Sequence, residues 1–250
     1  MADLQVNNLH FSRGDFTLQV DSLLVSAGEK VAVMGENGCG KSTLLQLLCG
    51  LLAPDYGMVS YDGSDLTTIP MPQRAKLFAL LPQLSEVIFP FSVYEVVLFG
   101  RFPHCVGNNF TAADEEQSKL LLERLDLLDL QQRPFNQLSG GEQRRVMLAR
   151  VLNQQAEIIY LDEPNASLDI RHTLDIFELL TGRQETLIAP VHDINLAYRF
   201  FDRFLFLKQG QLLADVGREE VTPELLTETY DVQVTAGSAA FEFHHCQLGG

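Results

Sequence analysis

The chain has 250 residues, and its 18 Lys and Arg against 33 Asp and Glu give a formal net charge of −15. This length suffices for one large α/β domain or two small domains, either of which can bury a substantial core. The negative charge argues against non-specific binding to nucleic acid or to anionic lipid, because both attract positive surfaces. No apolar stretch approaches the length of about eighteen residues that predicts a transmembrane helix.

The N-terminal residues and the cysteines give a first expectation about the compartment. Met1–Gln5 lacks the basic start and apolar core of a signal peptide. The four cysteines, Cys39, Cys49, Cys105 and Cys246, show no close pairing, which favours free thiols in a reducing cytoplasm.

Short apolar runs bounded by turn residues predict a series of strands. They are expected at 4–11, 16–20, 29–34, 58–61, 76–81, 158–161, 186–191 and 203–208. Helical stretches lie between several of them, and strands that alternate with helices imply a parallel sheet covered on both faces. Pro190 is unexpected in a central strand unless it is the last residue, because proline lacks the N–H that the ladder needs.

Helices are predicted by apolar spacing and by capping residues. They are expected from Lys41 onward, at 171–180, at 193–201 and at 223–230. Between about 84 and 154 the pattern is helical, with possible capping boxes opening at Ser92 and Thr111. The sequence therefore predicts a helical insertion of about seventy residues.

The segment that follows the strand at 29–34 reads G-x-x-x-x-G-K-S, which is typical of a phosphate-binding loop. Its glycines allow a tight turn whose N–H groups can surround a polyphosphate. Lys41 can reach the β- and γ-phosphates, and the Ser42 hydroxyl can ligate Mg²⁺. The alternative is a glycine-rich turn that binds nothing. The residues expected to contact the nucleotide here are Gly35, Glu36, Asn37, Gly38, Cys39, Gly40, Lys41, Ser42 and Thr43.

Two acidic residues directly follow the apolar run at 158–161. Asp162 is placed to hold a metal ion beside a phosphate loop, and Glu163 can orient the water that attacks the γ-phosphate. The alternative is that these acids only cap a surface turn.

Leu138–Gln143 reads L-S-G-G-E-Q. Ser139 and Glu142 fit a capping box that opens a helix. The glycines Gly140 and Gly141 cost helix stability, but they expose backbone N–H groups to which an anion can approach closely. A helix start and a phosphate site are both consistent with this pattern.

Together with Ser167–Asp169, which follows the acidic pair, these motifs resemble those of the nucleotide-binding subunit of an ABC transporter. Gln83 lies where that family has its Q-loop, and His192 lies at its switch histidine. The resemblance covers about residues 3–235.

The resemblance implies an α/β fold of the P-loop NTPase class. The expected fold has a parallel-sheet core, an N-terminal antiparallel β subdomain and the inserted helical subdomain at about 84–154. A single domain is expected over 1–235, with a C-terminal tail at 236–250.

The resemblance also implies a head-to-tail homodimer with two sandwiched ATP molecules. Each ATP would lie between the phosphate loop of one copy and Ser139–Gly141 of the other. Gln83 and Asp162 would bind Mg²⁺, the latter through water, and Glu163 would be the general base. His192 would contact the γ-phosphate, and Asp169 would communicate across the dimer.

Further similarity at 97–104, at 221–226 and at Tyr230 points to ATPases that import iron–siderophore complexes, haem or cobalamin. The implied partners are two transmembrane permease subunits and, indirectly, a periplasmic or surface substrate-binding protein. The implied location is peripheral, on the cytoplasmic face of the cell membrane. The alternatives are a soluble ABC-type ATPase in cytosolic assembly and a nucleotide-dependent scaffold without activity, against which Glu163, Gln83 and His192 together argue.

Four further expectations concern single segments. Arg13 lies where the family usually has an aromatic residue against adenine, and Phe11 or Phe16 could stack instead. The apolar run 87–91 either receives a helix of the membrane subunit or is buried locally. Alkylation of Cys39 should obstruct nucleotide binding. Residues 244–246, His-His-Cys, form either a metal site or a flexible tail.

Overall fold

The structure is a computed structural model, and it describes residues 3–82, 90–105, 107, 109–164, 168–236 and, for the backbone alone, 241–244. Gln83, most of the run 87–91, Ser167 and the end of the 244–246 segment lie outside the described residues. Within the described part, no helix is long and apolar enough to cross a membrane.

The described residues include twelve strands, which mostly follow the apolar runs of the sequence. The strands are β1 (Leu4–Arg13), β2 (Phe16–Val25), β3 (Lys30–Met34), β4 (Tyr56–Tyr61), β5 (Ser64–Asp65), β6 (Phe78–Leu81), β7 (Ile158–Leu161), β8 (Thr186–Pro190), β9 (Arg203–Lys208), β10 (Gln211–Gly217), β11 (Gln233–Ala236) and β12 (Phe241–His244).

Eight α-helices are described, and five short 3₁₀ helices accompany them. The α-helices are α1 (Lys41–Leu48), α2 (Met71–Leu77), α3 (Val93–Leu98), α4 (Ala112–Arg124), α5 (Gly140–Asn153), α6 (Ile170–Thr181), α7 (Ile194–Phe200) and α8 (Pro223–Tyr230). The 3₁₀ helices are Leu66–Thr68, Phe99–His104, Leu128–Leu130, Phe135–Gln137 and Arg218–Glu220.

The chain divides into two compact units, the first formed by residues 1–67 and 188–250 and the second by 68–187. In the first unit the strands are ordered β5-β4-β1-β2-β10-β9-β3, and the end of β8 follows β3. The pairs β1–β2, β1–β4 and β9–β10 are antiparallel, whereas β3 and β9 are parallel. Every residue of β3 is buried, as its continuous apolar run predicts for a strand covered on both faces.

In the second unit β6 and β7 pair in parallel, and the start of β8 follows β7. The helices α3, α4 and α5 contact one another around buried leucines and valines such as Val97, Leu121 and Val146. Ser92 and Thr111 both form the capping boxes that the sequence predicts. These helices lie between residues 92 and 154. The domain boundaries expected from the sequence stay a prediction.

The architecture agrees with the expected α/β class, since the described residues form antiparallel N-terminal strands, parallel strands and helices. The strand expected at 76–81 is wrong at its start, since Lys76 and Leu77 complete α2. Pro190 is the last residue of β8, where no further ladder donor is needed. The sequence analysis missed β10, although the turn at Gln209–Gly210 after a strand could have indicated a hairpin.

Candidate functional site

The phosphate loop joins the buried strand β3 to helix α1 in the first unit. Gly35 has a φ of 140°, and a Cβ atom there would lie 2.2 Å from the carbonyl oxygen of Leu207. Because the loop passes so closely against β9, only glycine fits at this position. The loop is therefore shaped by the sheet beside it as well as by its own sequence.

Lys41 is 7% exposed, and its ammonium group lies inside the loop. Its Nζ atom donates hydrogen bonds to the carbonyl oxygens of Gly35, at 2.7 Å, and Glu36, at 2.8 Å. Helix α1 begins at this residue, and its N-cap Gly40 offers no side chain to the first-turn N–H groups. A buried cation at a helix N-terminus without a side-chain cap favours an anionic ligand. Ser42 and Thr43 lie half-buried in the same first turn.

The side chain of Cys39 is buried within the loop. A Cβ atom on Gly35 would lie 2.8 Å from the Cys39 sulfur, so the thiol packs against the start of its own loop. Burial raises the pKa of this thiol, and the charge of Lys41 opposes the shift. Thiolate is the reactive form, so Cys39 is expected to react slowly with maleimide.

The candidates for stacking on adenine are Arg13, Phe11 and Phe16, and they lie in different surroundings. Arg13 is exposed at the end of β1, opposite Phe16 in the β1–β2 hairpin. The ring of Phe16 lies against the phosphate loop, since a Cβ atom on Gly40 would meet its Cζ atom at 2.8 Å. Phe11 is buried between the strands. Arg13 and Phe16 therefore remain beside the loop as candidates.

His192 is exposed directly after the end of β8. The N–H of Val191 donates to the carbonyl oxygen of Val33 at 3.2 Å. Val33 lies two residues before Gly35, so this bond brings the end of β8 alongside the strand that leads into the phosphate loop. His192 thus lies on the same unit as the loop, where strands of an open α/β sheet present their ligand-binding residues.

In the second unit, Asp162 and Glu163 follow β7 as expected. The N–H of Asp162 donates to the carbonyl oxygen of Leu81 at 2.8 Å, and Asp162 is only 7% exposed. The backbone of Glu163 adopts a φ of 52°, which is uncommon for a residue with a side chain.

Arg144, on α5, holds the backbone of this acidic segment by hydrogen bonds. Its guanidinium group donates to the carbonyl oxygens of Asp162, of Glu163 at 2.6 Å and of Pro82 at 2.8 Å. Three carbonyl acceptors on one rigid guanidinium fix the backbone that presents the acids. Arg144 could not be recognised from the sequence, because these contacts join segments far apart in the chain.

Ser139 and Glu142 form the predicted capping box at the start of α5. The Ser139 N–H donates to a Glu142 carboxylate oxygen at 2.8 Å, and the Glu142 N–H donates to the Ser139 hydroxyl at 3.4 Å. These hydrogen bonds lower the pKa of Glu142. Ser139 and Gly140 are exposed and Gly141 is half-buried, so the helix start is accessible.

Asp169 is the N-cap of α6, and its carboxylate accepts from the N–H of His172 at 2.9 Å. This bond, with the His172 side chain, lowers the pKa of Asp169. Asp169 is exposed, so its carboxylate is accessible at the surface. Gln83 lies outside the described residues.

The residues available to a nucleotide and a metal ion fit both groups chemically. The loop offers a cradle that only glycine allows, together with a buried ammonium group. Mg²⁺ prefers hard oxygen ligands and keeps several waters. The Ser42 hydroxyl is such a ligand in the first unit, and the Asp162 carboxylate is such a ligand in the second.

Three comparisons with known proteins agree. The sequence model of the ABC transporter family matches residues 18–166. The chain is 39% identical over 241 residues to the hemin import ATP-binding protein HmuV of Pseudomonas entomophila (strain L48), which covers 92% of this chain and 93% of that protein. The HmuV protein of Pseudomonas fluorescens (strain Pf0-1) shows the same identity and coverage.

Solved structures give the same result for the fold. An inward-facing metal-chelate type ABC transporter, described as putative, matches with a TM-score of 0.80 and 27% identity, over 98% of this chain and 96% of that chain. A nucleotide-free ATP-binding cassette matches with a TM-score of 0.76 at 24% identity, over 92% of this chain and 95% of that chain.

Proposed function

Because the chain belongs to the ABC transporter family, as an ATP-binding and ATP-hydrolysing subunit, we propose that it energises an importer of an iron complex or cobalamin, with haem as the first candidate. The observation that carries this proposal is the 39% identity, along 92% of the chain, to ATP-binding proteins of hemin import. The match to a metal-chelate type transporter supports the same substrate class.

The proposed catalytic arrangement uses the residues of both units. The phosphate loop from Gly35 to Thr43 binds the phosphates of ATP, and Arg13 lies beside the base. Ser42, Gln83 and Asp162 hold Mg²⁺, which neutralises charge on the phosphates when bound. The buried ammonium group of Lys41 supports this assignment, because a positive charge inside the loop attracts an anionic ligand.

Glu163 is the proposed general base, and it accepts a proton from the attacking water. His192 contacts the γ-phosphate. A homodimer brings Ser139, Gly140 and Gly141 of one copy to the ATP of the other, and Asp169 contacts the partner copy. The accessible start of α5 supports this assignment, because its N–H groups and hydroxyl suit a phosphate.

In the proposed assembly two permease subunits carry the substrate across the membrane. The ATPase copies bind them peripherally from the cytoplasmic face, and a substrate-binding protein delivers the cargo from outside. Nothing in the acidic composition suggests binding to nucleic acid.

The test is purification of this chain with its partners from native membranes in mild detergent. We expect a polytopic membrane protein to co-purify, and we expect haem-loaded binding protein to stimulate ATP hydrolysis by the complex. A siderophore complex and cobalamin serve as comparison cargoes. ATPase activity that is recovered without a membrane partner would favour a role in cytosolic assembly and contradict the importer.

A further inference from the structure

Tyr230, the last residue of α8, lies against the first glycine of the phosphate loop. The N–H of Gly35 donates a hydrogen bond to the Tyr230 hydroxyl oxygen, with 3.2 Å between the two heavy atoms. The residues are 195 positions apart, yet both belong to the first unit. We propose that Tyr230 is a positioning residue, which sets the geometry of the phosphate loop for ATP through this bond.

The end of α8 is held in place by the sheet that carries the loop. The Lys208 ammonium group, at the end of β9, donates to the carbonyl oxygen of Glu228 at 2.5 Å and to the carboxylate of Asp231 at 2.7 Å. Strand β9 pairs in parallel with β3, where Phe206 lies opposite Met34. The helix end and the loop are therefore fixed to neighbouring strands.

The start of the helix is equally well defined. The Thr222 side chain caps the helix by accepting from the N–H of Leu225 at 3.2 Å, and Pro223 occupies the first position. The N–H of Val234 in β11 donates to the Thr227 hydroxyl at 3.1 Å, which ties the helix to the following strand. Tyr230 is thus placed by a helix that is fixed at both ends.

The surroundings of Tyr230 keep its hydroxyl neutral. Burial, with smaller contributions from Cys39 and Glu36, raises the pKa of Tyr230 to about 12 against the opposing effect of the Gly35 N–H. A neutral phenol accepts the N–H without adding negative charge beside the loop. An anionic ligand is therefore not repelled by this contact.

Both peptide groups that meet at Gly35 are held by hydrogen bonds. Tyr230 binds its N–H, and the ammonium group of Lys41 binds its carbonyl oxygen at 2.7 Å. Gly35 cannot be fixed by a side chain of its own, because a Cβ atom would meet the Leu207 carbonyl oxygen. Loss of the Tyr230 hydroxyl leaves the Gly35 N–H without this acceptor, so the φ and ψ angles of Gly35, which also direct the carbonyl oxygen that Lys41 binds, are less well determined. ATP then binds to a less ordered loop.

The inference rests on the proposed nucleotide site and is tested with the full chain. Tyr230→Phe removes the hydroxyl and keeps the ring. We expect the Kd and KM for MgATP to rise about three- to tenfold, as loss of one hydrogen bond of ordinary strength predicts, while kcat changes less than twofold. We also expect faster hydrogen exchange of the Gly35 N–H.

Thr229→Val is the matched control. Thr229 is the neighbouring residue, fully buried, and its hydroxyl donates to the carbonyl oxygen of Leu225 within the same helix. This variant removes a hydroxyl from α8 without touching the loop, so it should bind MgATP like the wild type. Equal weakening in both variants would show that α8 acts only through stability and would overturn the proposal.

Two further measurements keep the inference separate from the site on which it rests. Lys41→Ala should abolish MgATP binding, and retention of binding would contradict the proposed site itself. If Tyr230→Phe binds MgATP with unchanged affinity while Lys41→Ala loses MgATP binding as expected, only the role of Tyr230 is overturned. An unprotected Gly35 N–H in the wild type would overturn it without any substitution.

Discussion

At the scale of single residues, the acidic pair after β7 shows how backbone contacts serve a side chain. Glu163 has a left-handed backbone, and its carbonyl oxygen accepts from the buried guanidinium group of Arg144. A strained residue persists only where its surroundings determine its conformation. The backbone that carries the Glu163 side chain is therefore held by Arg144, which suits the role of general base that we propose for Glu163.

The change Glu163→Gln tests the proposed base. The amide cannot accept the proton of the attacking water, so we expect turnover to fall at least about 100-fold while MgATP binding is retained. The ATP-bound dimer should accumulate and is measured by gel filtration with ATP. Glu116→Gln, at an exposed position of α4, is the control with the same chemical change. Turnover of Glu163→Gln near that of the control would contradict the assignment.

A second residue contact stabilises the helical segment. Arg101 donates to the carboxylate of Asp114 at 2.7 Å, and the same guanidinium group donates to the carbonyl oxygen of Asn153 at 2.9 Å. Hydrogen bonds from Thr111 and Arg101 lower the pKa of Asp114 to about 2. The contact joins the 3₁₀ helix at 99–104, α4 and the end of α5.

This shift predicts how stability depends on pH. Because the folded pKa of Asp114 lies below the ordinary value of 3.8, the ionised form is favoured by folding and contributes about 2 kcal/mol at neutral pH. The contribution is lost as pH falls from about 4 towards 2. Asp114→Asn should lower the free energy of unfolding in urea by about this amount at pH 7, and the difference should shrink below pH 4.

The exposed Asp129→Asn is the control, since it changes the net charge equally. A loss of stability in Asp114→Asn that is the same at pH 7 and pH 3 would show that packing, not charge, makes the contribution.

At the scale of elements, the first turn of α5 and the turn that follows it have different roles. Its start presents the exposed Ser139 and Gly140, and its buried face carries Arg144 one turn later. Arg144 contacts the ends of β6 and β7 through the carbonyl oxygens of Pro82 and Asp162. The helix therefore links the L-S-G-G-E-Q segment at its start to the acidic pair Asp162 and Glu163 within one unit.

Arg144→Lys tests this link. A lysine ammonium group is compact and cannot reproduce a planar fork to three carbonyl oxygens. We expect the free energy of unfolding to fall by about 1–3 kcal/mol, because buried carbonyl groups lose their donors. We also expect a larger fractional loss in kcat than in MgATP affinity, measured by steady-state kinetics and by calorimetry. Arg124→Lys, exposed at the end of α4, should leave all three unchanged.

At the scale of the whole molecule, net charge is the dominant electrostatic feature. A formal charge of −15 destabilises a compact state through self-repulsion. Ion pairs such as Arg203 with Asp215 at 2.7 Å and Lys208 with Asp231 at 2.7 Å are present, but 18 Lys and Arg can neutralise no more than 18 of the 33 acidic charges. We therefore expect salt to weaken the repulsion among acidic residues more than the attraction between oppositely charged residues.

We expect the thermal midpoint of unfolding to rise between about 10 mM and 200 mM NaCl at pH 7, since the screening length falls from about 30 Å to below 10 Å. Differential scanning calorimetry measures this shift. At pH 5, close to the sequence pI of about 4.7, the shift should be smaller because the net charge is near zero. A midpoint that falls with salt at pH 7 would show that ion pairs outweigh the repulsion.

The sequence by itself determined the family, the fold class and the segments that carry chemistry. Each of three segments is a short continuous stretch whose residue types indicate its chemistry. They are the phosphate loop, the L-S-G-G-E-Q segment and the acidic pair after β7. The capping boxes at Ser92, Thr111 and Ser139 were predictable for the same reason, since both partners lie within one turn.

The tertiary structure alone decided which distant residues support those segments. Tyr230 contacts Gly35 across 195 positions, and Arg144 contacts carbonyl groups on two strand ends. The start of β6 was misplaced because Leu77, the last residue of α2, runs directly into the apolar residues of the strand. Local patterns specify chemistry within a few residues, whereas long-range hydrogen bonds depend on sheet order and on packing that no short segment encodes.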